Sequence, residues 1–69
     1  MNKHATEDGK LLALVPTHMD VAAAWNDGPG RFVSLPDTLE EAQKESFGMA
    51  EPIIYQRHPI TRQWQRTET

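Results

Sequence analysis

The chain has 69 residues, no cysteine, 38% apolar residues and a formal charge of −3, which leaves room for one small domain with a thin core. Neither disulfides nor thiolate metal sites can staple such a fold, and scaffolds of this size often gain stability from an oligomeric or partner interface, so a homodimer is one expectation. No run approaches the ~20 apolar residues of a membrane span, and Met1-Asn2-Lys3-His4 lacks the apolar stretch of a signal peptide, so the expected setting is a reducing cytoplasm.

Residues 1–10 are polar, contain Gly9 and show no period, which predicts a mobile N-terminus ahead of a single domain over 11–69. Leu11-Leu12-Ala13-Leu14-Val15 is a short apolar run stopped by Pro16, and its length suits a buried strand. The segment Thr17 to Trp25 supports two assignments. Thr17 with Asp20 resembles a helix start, and the Ala22-Ala23-Ala24 run favours helix. The same residues, followed by Asn26-Asp27-Gly28-Pro29-Gly30 and then Arg31 to Leu35, also read as two strands joined by a five-residue loop. The hairpin is preferred because it gives the Arg31–Leu35 strand an antiparallel neighbour.

Pro36 ends that strand. Thr38 and Glu41 then form a capping-box pair, and Asp37, Glu40 and Glu41 sit where the helix dipole favours acids. Leu39, Ala42 and Phe47 are expected on the buried side of this helix, with Ser46 beside them; Glu40, Glu41, Lys44 and Glu45 look outward, and Gly48 is the expected C-terminal cap. The run Pro52-Ile53-Ile54-Tyr55-Gln56-Arg57 is rich in strand formers, His58-Pro59-Ile60-Thr61 reads as a turn, and the chain returns as Arg62-Gln63-Trp64-Gln65-Arg66. Alternation puts Arg62, Trp64 and Arg66 on one face of that strand. Either Trp64 points inward between two arginines, or all three side chains decorate an exposed surface.

These elements predict an α+β fold: a small antiparallel sheet of three to five strands with one amphipathic helix on one face. The expected core is Leu11, Leu14, Val33, Leu35, Leu39, Ala42, Phe47, Ile54 and, on the first alternative, Trp64. Charge is divided unevenly, with an acidic helix followed by a hairpin that carries Arg57, Arg62 and Arg66 and no acid.

Chemistry-bearing patterns are lacking. His4, His18 and His58 have no metal-site spacing, neither Ser34 nor Ser46 sits in a glycine-flanked elbow, and Gly28-Pro29-Gly30 lacks the lysine and hydroxyl residue of a phosphate loop. No catalytic residue, metal or cofactor is expected, and the chain is not expected to be an enzyme. The preferred function is non-catalytic protein binding, as a small inhibitor or adaptor that occludes a larger host protein. Small, acidic, cysteine-free inhibitors encoded by mobile elements and phages share this size and charge class. Tyr55, Arg57, Arg62, Trp64 and Arg66, together with Glu41 and Glu45 on the helix, are the expected partner-binding residues, since Trp, Tyr and Arg most often dominate interfaces. The alternatives are a nucleic-acid contact through the three arginines with Trp64 or Tyr55 stacking on a base, and a self-associating structural subunit that pairs through an edge strand.

Overall fold

The computed structural model describes residues 5–67. Its elements run α1 (Ala5–Leu12), β1 (Val21–Asp27), β2 (Gly30–Ser34), α2 (Leu39–Ser46), β3 (Ala50–Arg57) and β4 (Trp64–Arg66). The strands form one antiparallel sheet in the order β2-β1-β3-β4, so the fold is α+β, as the sequence predicts. Among the described residues no helix is long and apolar enough to cross a membrane.

Two helices cover the sheet rather than one, and they lie on opposite faces. Leu12 of α1 packs with Ala22, Ala24, Ile53 and Tyr55, whereas Ala42 of α2 packs with Val21 and Ile54. Alternate residues of β1 and β3 thus serve different helices, as the two-residue period of a strand requires. The alanines that suggested a helix are the middle of the central strand, where Ala22, Ala23 and Ala24 are fully buried. A strand buried on both faces reads as a continuous apolar run, and small side chains let both helices approach it.

The β1–β2 hairpin is present but tighter than expected. Asp27 pairs directly with Gly30, which leaves only Gly28 and Pro29 in the loop. Gly28 has φ 61°, the left-handed conformation that the first loop position of a type II′ turn demands. On the other side of β1 the register with β3 shifts between Ala24 and Asn26. Two β3 residues there oppose Trp25 alone: Glu51, at φ 48°, and Pro52, which has no N–H to give a ladder and belongs at such a bulge.

The N-terminal expectations need correction. Residues 5–10 belong to α1, where no regular element is expected from the sequence; Met1 to His4 lie outside the described residues. Leu11 and Leu12 end α1 instead of starting a strand, and Leu14 and Val15 close tight turns by donating to the carbonyls of Leu11 and Leu12. An eight-residue helix with a central glycine is unstable alone, so its docking decides the matter.

That docking is polar as well as apolar. Asp8 and Arg31 are 0% and 7% exposed. Arg31 donates from Nε to Asp8 Oδ1 at 2.9 Å and from Nη2 to Oδ2 at 3.2 Å, a two-pronged ion pair. Tyr55 Oη donates to Asp8 Oδ2 at 2.6 Å. The remaining guanidinium nitrogen, Nη1, donates to Asn26 Oδ1 and to the Glu51 carbonyl that the bulge takes out of the ladder, at 3.0 and 2.8 Å.

The expected core also changes. Leu14, Leu35 and Phe47 are 81%, 42% and 91% exposed, and Leu11 is only partly buried. Phe47 follows Ala42 by five residues, which turns it about 140° away from the buried face. The capping of α2 is as predicted: Thr38 Oγ1 accepts from Glu41 N at 3.1 Å, and Glu41 Oε2 accepts from Asp37 N at 3.2 Å. Its last residue is followed by Phe47 in the right-handed conformation, and Gly48 has no positive φ, so the expected glycine cap is not used.

Substituting Arg31→Met takes an opposing charge away from a carboxylate whose side chain is 1% exposed. It should cost about 3–5 kcal/mol in urea unfolding, whereas Asp8→Leu with Arg31→Met should recover most of that loss. Equal destabilisation by the single and double variants would contradict this role of the pair.

Candidate protein-binding surface

The arginine-bearing hairpin is organised by contacts within the chain. Arg57 donates from Nε and Nη2 to the Met19 carbonyl at 3.2 and 3.1 Å, and its Nη2 also reaches the Pro16 carbonyl at 3.4 Å. Its guanidinium carbon lies 4.1 Å from the centre of the Trp64 ring, within cation–π range. Arg62 Nη2 donates to the Thr17 carbonyl at 2.8 Å and to Asp20 Oδ1 at 2.9 Å. Both arginines therefore tie the 16–20 segment to the hairpin.

The expected face of Arg62, Trp64 and Arg66 does not form. Arg62 lies before β4, at φ 63°, in a turn where its N–H donates to the His58 carbonyl and the His58 ring Nδ1 accepts from the N–H groups of Ile60 and Thr61. Trp64 is half-buried and packs against the α1-side core. Tyr55 is 8% exposed, with its hydroxyl on Asp8, so its ring is not on offer to a partner. Of the five hairpin residues, Arg66 is the one whose charged group stands exposed without a hydrogen bond among the described residues.

A pocket of about 140 Å³ lies beside Arg66, lined also by Ser46, Pro52, Ile53, Ile54 and Thr67. It is well short of the roughly 300–1,000 Å³ of ordinary ligand sites. Among the described residues no three of His, Cys, Asp and Glu gather as metal ligands would. Comparison with protein-family models, curated proteins and solved structures returns no match.

Two other surfaces are left open. On the outer side of α2, Glu40, Glu41, Lys44 and Glu45 are exposed, and Glu40 and Glu45 carry no ion pair among the described residues. Phe47, 91% exposed, closes this helix. Helical spacing places it next to Gln43 and Lys44 and one further turn from Glu40. The exposed acids are as expected from the sequence, whereas the phenylalanine is expected in the core and is not there.

The second surface is the free side of β2. Trp25 and Phe32 stand opposite each other on β1 and β2 with ring centres 5.9 Å apart, and Trp25 Nε1 donates to Ser34 Oγ at 3.0 Å. Phe32 is 49% exposed and Leu35 42%. This surface is not among the sequence expectations, although alternation along Arg31-Phe32-Val33 carries its signal: a buried Arg31 forces Phe32 to the opposite face.

Trp64→Ala removes a half-buried ring and the partner of Arg57, and should lower stability by about 2 kcal/mol. A thermal melt followed by circular dichroism reads this directly; an unchanged midpoint would place Trp64 outside the core.

Proposed function

We propose that this chain is a non-catalytic protein-binding module whose α2 helix, with Phe47 at its C-terminal end as anchor and Glu40, Glu41 and Glu45 exposed along it, docks on a basic surface containing an apolar cleft. The observation that carries this reading is the 91% exposure of Phe47 on an acidic helix. A phenylalanine left in water forgoes about 1.5–3 kcal/mol of burial, and one at the end of a helix with three exposed glutamates and one lysine suits a partner of opposite charge.

Binding in this way makes the chain a small inhibitor or adaptor. It has little room for a reaction site, and it acts by covering part of a larger protein. A cysteine-free chain is suited to a reducing cytoplasm, where we place its action. The nucleic-acid alternative loses support because Arg57 and Arg62 are engaged within the fold, and one exposed Arg66 makes few phosphate contacts.

The test is capture from cell lysate with the tagged chain, after nuclease treatment, scored by quantitative mass spectrometry. Proteins held by the native chain should fall about tenfold or more with Phe47→Ala, the loss of roughly 1.4 kcal/mol expected at least of an anchor. They should fall also with Glu41→Lys plus Glu45→Lys, and on raising salt. Melting curves of both variants should match the native chain. Retention of the same proteins by all three chains would overturn the assignment, and recovery abolished by nuclease would favour nucleic acid instead.

A further inference from the structure

The two edges of the sheet differ. β4 is three residues long and carries exposed Arg66, a blunted edge of the kind that discourages pairing. β2 is five residues long, and among the described residues it has a strand neighbour on one side only. Its single charged side chain, Arg31, is turned inward onto Asp8, so no charge guards the free side. Proline stands immediately before β2, at Pro29, and shortly after it, at Pro36, but none lies within it.

The free backbone groups of β2 can be assigned from the hairpin. The two-residue loop closes on a hydrogen-bonded pair, Asp27 and Gly30. Bonded and non-bonded pairs then alternate, so Gly30, Phe32 and Ser34 direct their N–H and C=O groups to β1, while those of Arg31 and Val33 point outward. This pattern is self-complementary about Phe32. A two-fold axis through that residue sets Arg31 of one copy opposite Val33 of the other, twice, with four N–H···O bonds.

We propose that the occupant of this edge is a second copy of the chain, joined β2 to β2 in antiparallel register about Phe32 to give a continuous eight-stranded sheet. The second copy is favoured over an unrelated strand because the side chains agree with the backbone symmetry. Phe32 meets its own counterpart in a non-bonded pair, where side chains come closest. Trp25 extends the apolar contact on the same face of the sheet, and a chain this small gains core that it cannot build alone. The interface is isologous, as a two-fold dimer requires, and it is separate from the α2 face, so each surface can fail without the other. The dimer presents two α2 faces, and binding to a target with two sites would be strengthened by their linkage.

Analytical ultracentrifugation of the purified chain from about 10 µM to about 1 mM should show a reversible monomer–dimer equilibrium, with concentration-dependent stability. Phe32→Lys should remain monomeric over the whole range while keeping a cooperative melt. Because the native chain has no cysteine, single cysteines report the register. Under mild oxidation Phe32→Cys should form disulfide-linked dimer at least tenfold faster than Ser34→Cys. Cα atoms at the two-fold pair lie about 4.5 Å apart, within disulfide reach, whereas the two Ser34 positions would be about 13 Å apart. A chain monomeric to about 1 mM, a dimer that survives Phe32→Lys, or equal cross-linking of the two cysteine variants would each overturn the proposal. If Phe32→Lys does not fold, the cross-linking ratio alone decides.

Discussion

A buried carboxylate facing a buried guanidinium is the constraint on which this fold turns. Neither Asp8 nor Arg31 can be left in so small an interior without its opposing charge and hydrogen bonds, and the two come from parts of the chain 23 residues apart. Their pairing brings α1 onto the sheet, where Leu12 completes one face of the core. The same guanidinium reaches Asn26 of β1 and the bulged backbone of β3 at Glu51, so one side chain touches α1 and the three long strands. Tyr55 completes the arrangement by donating to the same carboxylate.

That pair also explains what the sequence concealed. The α2 helix was legible because its signals are local: a proline stop, Thr38 and Glu41 as cap, and acids in the first turn. The β1–β2 and β3–β4 hairpins were legible for a similar reason, from strand formers separated by turn residues. By contrast α1 was not, because its buried residues are Asp8 and, one turn later, Leu12, and a charge on the buried face hides the 3.6-residue period. The alanines of β1 misled in the opposite sense: their intrinsic preference is helical, and burial between two helices overrides it. Phe47 was expected on the buried side of α2 with Leu39 and Ala42, although its angle of about 140° from Ala42 points it outward.

The inward turn of arginines shapes what remains for recognition. Arg31 holds α1, Arg57 stacks on Trp64 and caps the carbonyls of Met19 and Pro16, and Arg62 bridges to Thr17 and Asp20. Residues that suggest a basic binding face in the sequence are largely structural, holding loops that lack regular hydrogen bonding. The outer surface is consequently more acidic than the distribution of residues along the chain implies, and its exposed aromatic groups, Phe47 and Phe32, lie on other elements. Both functional proposals follow from that redistribution, one for a basic partner at α2 and one for a like copy at β2.

The most direct measurement of the central constraint is the Arg31 Nε–H resonance in a proton–nitrogen NMR spectrum. A guanidinium held between Asp8, Asn26 and the Glu51 carbonyl should give a single sharp signal that exchanges slowly with water and shows nuclear Overhauser contacts to Asp8 and Tyr55. A signal exchanging as fast as that of an exposed arginine, with no such contacts, would mean that α1 is not held as described and would remove the basis for the uncharged β2 edge.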